Sequence, residues 1–160
     1  MSLEEASSMV DTAAGDDAGR WVERLCRATN DHDLAALEAC FSPDYVNETP
    51  AHPARGFRSR DQVRRNWEQI FRAVPDISAT VRWTADGDEV WSEWEMRGTR
   101  ADGTPHLMRG AVIFRVVGGE ATLARFYLEP VEVGGGGIDE AVRRGVGLAS
   151  VASPAGGEDR

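Results

Sequence analysis

The chain has 160 residues, 41% of them hydrophobic and 28% charged, which is the size and composition of one globular domain with a single core. Its formal net charge is −9 and no basic stripe runs along it, which excludes nucleic acid and anionic membrane surfaces as expected partners. All 18 basic residues are arginine, so Schiff-base and lysine-base chemistry is excluded as well.

Residues 1–18 are acidic, rich in Ser, Ala and Gly, and aperiodic, the composition of a disordered tail. They place acids where a secretory signal needs positive charge. Nowhere does the chain offer the run of about 18 apolar residues that a membrane span requires. Cys26 and Cys40 make no disulfide framework, which fits a cytoplasmic setting. Order is expected from Gly19, with a folded domain over residues 19–133 and a Gly-rich joint, short helix and flexible tail over 134–160.

Trp21, Val22, Leu25, Cys26 and Thr29 recur at helical spacing, and Asp31-His32-Asp33 breaks that helix. Asp33 is a natural N-cap for a second helix, in which Leu34, Leu37, Cys40 and Phe41 share a side until Ser42-Pro43 stops it. A short extended segment, Tyr45 to Thr49, leads into PAHPARGF, whose prolines and glycine read as an irregular loop. Ser59 caps a third helix with an apolar stripe of Val63, Trp67, Ile70, Phe71 and Val74. From Ile77 the apolar period changes to two, giving strands over about 77–84, 89–97, 106–117 and 121–129. Asp86-Gly87, Asp102-Gly103 and Gly118-Gly119 supply the hairpin turns. Three N-terminal helices followed by an antiparallel meander make the fold class α+β. Past the glycines, Ile138 to Val146 reads as a short helix.

Alternation sorts the strand residues onto two faces. Val90, Ser92, Trp94 and Met96 should meet the helices, together with His106, Met108, Gly110, Val112, Phe114 and Val116, and with Thr122, Ala124, Phe126 and Leu128. The opposite face mixes Glu93 and Glu95 with Arg109, Arg115 and Arg125, and adds Trp91, Ile113 and Tyr127. Aromatics among arginines on an outer sheet face point to a homodimer interface.

Three segments, DLAALEACFSPDYVNETP, GFRSRDQVRRNWEQIFRAVPDI and DGDEVWSEWEMRGTRADGTP…GAVIFRVVGGEATLARFYLEP, resemble in order and spacing the nuclear transport factor 2-like superfamily, in its SnoaL-like branch. The resemblance covers roughly residues 19–132. It implies a cone-shaped α+β barrel, three N-terminal helices on a curved antiparallel sheet, with a pocket at the centre. Its members include polyketide cyclases, ketosteroid isomerases, small epoxide hydrolases and non-catalytic binding domains, so the fold alone does not select a function. The positions matching the ketosteroid isomerase machinery are Thr49, Leu25 and Val112, and those matching the epoxide hydrolase triad are Trp94, Met96 and Phe126. None carries the family's acid, and the last-strand Asp of the cyclases is lost with Phe126 as well. A one-residue slip would bring Glu48, Glu93 or Glu95 inward but would turn Trp94, Met96 and Val112 out to solvent.

What remains inside is an expected apolar ligand site of Leu25, Trp67, Phe71, Ser92, Trp94, Met96, Met108, Val112, Phe126 and Leu128. Asn47, Thr49 and His106 are its candidate catalytic groups. An imidazole titrating near neutrality can remove a proton alpha to a carbonyl, and Asn47 or Thr49 can hold the enolate oxygen. His52 lies in a loop able to cover the mouth, Glu129 at the rim or in a salt bridge, and His32 on the surface between helices. Histidines at 32, 52 and 106 have no metal-ligand spacing, so no metal is expected, and the reading calls for no cofactor. Two functions stand open: an isomerase or cyclase acting on a polyketide- or steroid-like substrate, and a non-catalytic ligand-binding or dimerisation domain.

Overall fold

A computed structural model describes residues 3–149, with side chains from Gly15 onward. Helix α1 (Leu3–Asn30) buries Ala18, Trp21, Val22, Leu25 and Ala28 along one side. It runs continuously through the acidic stretch that composition reads as a disordered tail. The residue types explain the difference. Ala13, Ala14 and Ala18 are strong helix formers by residue type. Residues 1–2 and 150–160 of the expected tails lie outside the described residues.

Side-chain hydrogen bonds fasten α1 to the rest. The Trp21 indole donates to the Cys40 carbonyl at 2.7 Å, and the Asn30 amide both accepts from Ala79 N at 2.7 Å and donates to Ala79 O at 3.0 Å. Helix α2 (Leu34–Glu38) starts where Asp33 accepts from Ala36 N at 3.0 Å. It is shorter than its apolar spacing predicts, because Phe41 already begins strand β1 (Phe41–Glu48). The strand passes straight through Ser42-Pro43. Its pairing is irregular between Phe41 and Val46, so the N–H that Pro43 lacks is not missed.

The segment read as an irregular loop is also more ordered than its prolines suggest. It contains a 3-10 turn (Pro53–Arg55) and strand β2 (Phe57–Arg58), which pairs antiparallel with Val46 and Asn47. Helix α3 (Arg60–Ala73) follows, with Ser59 capping Gln62 N at 3.4 Å.

Strands β3 (Ser78–Asp86), β4 (Glu89–Thr99), β5 (Pro105–Val117) and β6 (Glu120–Pro130) form the expected meander. The complete sheet has six strands in the order β2-β1-β6-β5-β4-β3 and is open. It is mixed rather than purely antiparallel, because β1 lies parallel to β6. The fold is α+β, as expected. One strand residue leaves its predicted face: a register shift between Arg115 and Val116 puts Thr122 at a bulge, and Ala121 takes the inward place opposite Val116.

Helix α1 lies on β3, β4 and β5, whereas α3 packs chiefly on α2 and β1. That division decides where a cavity can exist. Under α1 the space is filled by Trp21, Val90, Trp94, Val112 and Phe114, with Trp21 and Phe114 in edge contact at 4.7 Å. Between α3 and the β1–β6–β5 end it stays open. Helix α4 (Ile138–Gly145) follows the glycines, and every residue over 132–149 is exposed. No helix among the described residues is long and apolar enough to cross a membrane.

Candidate functional site

A cavity of about 300 Å³ lies between the apolar stripe of α3 and the inner face of β1, β6 and β5. Val63, Trp67 and Ile70 of α3 face Met96, Met108, Phe126 and Leu128 across it, and Phe41, Phe57 and Ile77 complete its apolar wall. Its polar lining is sparse: Tyr45, Asn47, Thr49, Arg55, Asn66, His106 and Glu129. A cavity of this volume accepts a small ring-bearing molecule.

Of the residues expected to touch a ligand, Trp67, Met96, Met108, Phe126 and Leu128 are gathered here, together with Asn47, Thr49 and His106. Leu25, Phe71, Ser92, Trp94 and Val112 are not in its lining. Leu25, Trp94 and Val112 belong to the packed half under α1, where each is 5% exposed or less. Ser92 is used up internally, since its hydroxyl donates to Val112 O at 2.6 Å and accepts the Trp94 indole N–H at 2.8 Å. Phe71 stacks on His32 at 4.8 Å. His32 is therefore no plain surface residue: its ring is half-buried between α1 and α3, with Nε2 at 2.8 Å from Ile77 O.

Strand β1 supplies the deep polar wall. Residues two apart on one strand share a face, so Tyr45 and Asn47 point the same way, and Thr49, just past the end of the strand, also lines the cavity. The Tyr45 hydroxyl donates to Asn47 Oδ1 at 2.9 Å, and Asn47 Nδ2 donates to Thr49 Oγ1 at 3.4 Å. Burial pushes the Tyr45 phenol far above its ordinary value, so it remains a donor at neutral pH. Asn47 itself is 7% exposed. Tyr45 was missed in the sequence, although the spacing Tyr45-x-Asn47-x-Thr49 carries the signal.

His106 stands at the other end. Asn47 pairs with Ala124 on β6, whereas His106 lies two residues beyond Met108, the partner of Pro130 at the end of that strand. Burial, and then the nearby Arg100 charge, hold the imidazole below its ordinary value. It is therefore a neutral base at pH 7. The rim between these ends carries the Glu129 carboxylate, 3.1 Å from His52 Nε2 and 3.7 Å from Arg55 Nη1. Glu129 thus both lines the cavity and, through His52 and Arg55, ties the 3-10 turn to the end of β6; His52 itself is not in the cavity lining.

On the outer sheet face Arg109, one of the arginines expected beside the acids, pairs with Glu95 at 2.7 Å; Glu93 pairs with Arg82 at 2.9 Å, Glu95 also with Arg97, and Arg125 lies 3.7 Å from Glu48 instead. Trp91 and Tyr127 are 52% and 43% exposed, but Ile113 between them is buried.

The model of the SnoaL-like domain matches residues 22–124. No curated protein matches the chain. Among solved structures, it is similar to an LEH-like epoxide hydrolase of M. tuberculosis, with a TM-score of 0.63 and 22% identity over 72% of this chain and 84% of that one. It is similar to IdmH of Streptomyces antibioticus, named there as a candidate polyketide cyclase, with a TM-score of 0.61 and 24% identity over 70% and 91%. RV0760c of Mycobacterium tuberculosis, solved with estradiol-17beta-hemisuccinate, gives a TM-score of 0.60 and 20% identity over 69% and 92%. These similarities show the fold.

Proposed function

Since the chain belongs to the SnoaL-like domain family, we propose that its cavity binds an apolar, ring-bearing small molecule end-on and moves a proton on it, an isomerase- or cyclase-type reaction. The supporting observation is the spread of the polar groups along an apolar cavity: buried Asn47, with Thr49 beside it, stands level with Ala124 of β6, and half-buried His106 lies beyond the Pro130 end of that strand. A carbonyl oxygen of the ligand accepts from Asn47 Nδ2 and the Thr49 hydroxyl. His106 takes a proton from a saturated carbon attached to the far end of a double-bond system conjugated with that carbonyl. The C–H electron pair then moves through the conjugated framework to the oxygen, which becomes an enolate held by the two donors. The imidazolium returns its proton to a different carbon, and the carbonyl re-forms. A ligand shorter than the cavity could not meet both ends, which favours a polyketide- or steroid-like molecule. That a similar fold, RV0760c, is known with an estradiol derivative agrees with this size.

The test is exchange of deuterium from D2O into an extended conjugated ring ketone at its ring carbon remote from the carbonyl, followed by mass spectrometry. The reading expects exchange that His106→Ala abolishes while binding of the ketone persists. Exchange unchanged in that variant would remove His106 from the mechanism, and binding without exchange in the unaltered protein would favour the non-catalytic binding domain.

We further propose that two copies pair through the outer sheet face. The exposed Trp91 and Tyr127 and the alternating Glu and Arg side chains support this, as does the exposure of every residue over 132–149, which leaves that segment packed on nothing.

A further inference from the structure

A second hollow, of about 550 Å³, lies outside the cavity at the His106 end of the molecule. The last turns of α3, with Gln69 and Ala73, form one side, and the connection between β4 and β5, with Arg100 and Asp102, forms the other. The two hollows have Ile70 and His106 in common, so His106 stands at a junction between them.

The outer hollow carries one cation, Arg100, and one carboxylate, Asp102, whose hydrogen bonds are differently committed. Arg100 uses Nη1 alone, donating to Pro105 O at 2.8 Å and to Thr104 Oγ1 at 3.3 Å, which lays the side chain along its own turn. No ion pair among the described residues involves it. Asp102, the one carboxylate of this hollow, is turned back on Thr104, accepting from its N–H at 3.0 Å and its hydroxyl at 2.6 Å. Those bonds, and to a lesser degree the Arg100 charge, hold the Asp102 carboxyl below the usual carboxylate range, so it stays charged, but its hydrogen bonds go to Thr104 and none to Arg100. The guanidinium keeps its Nε and Nη2 donors for another acceptor, and such a planar fork suits a carboxylate. Arg55, the other cation near the cavity, is already paired with Glu129.

We infer that the ligand of the inner cavity continues past His106 into the outer hollow, where Arg100 binds a carboxylate at its end. The ligand class is then an amphipathic acid: an apolar ring body, a carbonyl at the Asn47 end and a carboxylate on a chain at the other. The inference rests on the reading of the inner cavity as a ligand site.

The experiment compares naphthylalkanoates of increasing chain length with the matching naphthylalkanols, titrated calorimetrically against the unaltered protein, R100Q and R55Q. Once the chain is long enough to pass His106, the acid should bind about tenfold more tightly than the alcohol. R100Q should erase that advantage while the alcohol keeps its affinity. Equal binding of acid and alcohol at every length would overturn the inference and leave the cavity reading standing. An advantage that survives R100Q, or that vanishes in R55Q instead, would also overturn it, the latter by moving the carboxylate to the Glu129 rim. If neither acid nor alcohol binds saturably, the cavity reading fails and the inference fails with it.

Discussion

The buried hydroxyl of Tyr45 donates to Oδ1 of Asn47 at 2.9 Å, and that bond sets which end of the Asn47 amide can donate. With the oxygen occupied, Nδ2 turns to Thr49 and its N–H groups become the donors at the deep end of the cavity. Tyr45→Phe should therefore do two things. It should cost about 1–2 kcal/mol of stability in urea unfolding, because a buried amide oxygen loses its partner. It should also reduce any deuterium exchange into the ketone by about tenfold, since the amide is free to flip. Full activity in this variant would separate Tyr45 from the site.

A pH profile tests His106. Its folded pKa lies below the ordinary 6.5 because of burial and the Arg100 charge. A base must be neutral, so kcat/KM should be flat above 6.5 and fall as pH drops through the lower folded value. R100Q removes one of the two causes, so the acid limb should move to higher pH. The stability sign follows from the same shift. Between the folded and unfolded values the unfolded chain binds more protons, so this group's contribution is full above 6.5 and is lost on acidification through the folded value. An acid limb that stays in place in R100Q would contradict the assignment.

Gly110 gives a test of the sheet next to the cavity. It takes φ +151, and a Cβ built there would stand 2.1 Å from Tyr127 O and 2.8 Å from Leu128 Cα. Both are backbone atoms of the neighbouring strand and cannot rotate away. Gly110→Ala should cost about 3 kcal/mol or more in chemical denaturation, through strain and a forced separation of β5 from β6. A cost below about 1 kcal/mol would show that these strands are not held at this spacing.

The outer face makes its own prediction. Trp91→Glu puts a charge at the centre of the exposed aromatic patch, so it should convert a dimer to a monomer in sedimentation velocity without lowering the unfolding midpoint of the monomer. A monomer in the unaltered protein at high concentration would end the pairing proposal.

Particular residues show how far the sequence could be read. Strands β3 to β6 were legible because Val90-Ser92-Trp94-Met96 and its neighbours alternate cleanly between Asp-Gly and Gly-Gly turns. Helix α3 was legible from Ser59 and an unbroken apolar stripe. Strand β1 was legible only in its second half, as the extended segment from Tyr45; its start was not, since Leu37, Cys40 and Phe41 fit a helical period and Pro43 reads as a stop. Only the parallel pairing with β6, a contact distant in sequence, makes Phe41 extended. The candidate site was legible by face but not by depth. Alternation tells that Trp94 and Phe126 both point inward; it does not tell that α1 covers the first and leaves the second beside a void. Arg55 and the link of Glu129 to His52 depend on how a proline-rich turn folds over the end of β6, for which no local pattern exists.

The central claim is that the space between α3 and the sheet is a ligand cavity, and one titration tests it most directly. Naphthol, a planar bicyclic probe well within about 300 Å³, is added to the unaltered protein and to Leu128→Trp, with binding read by calorimetry and folding by circular dichroism. The account predicts saturable one-to-one binding to the unaltered protein. It predicts at least a tenfold loss in Leu128→Trp, whose indole would occupy the cavity while the packed half under α1 keeps the fold. Absence of saturable binding to the folded, unaltered protein, or equal binding by the folded variant, would contradict it.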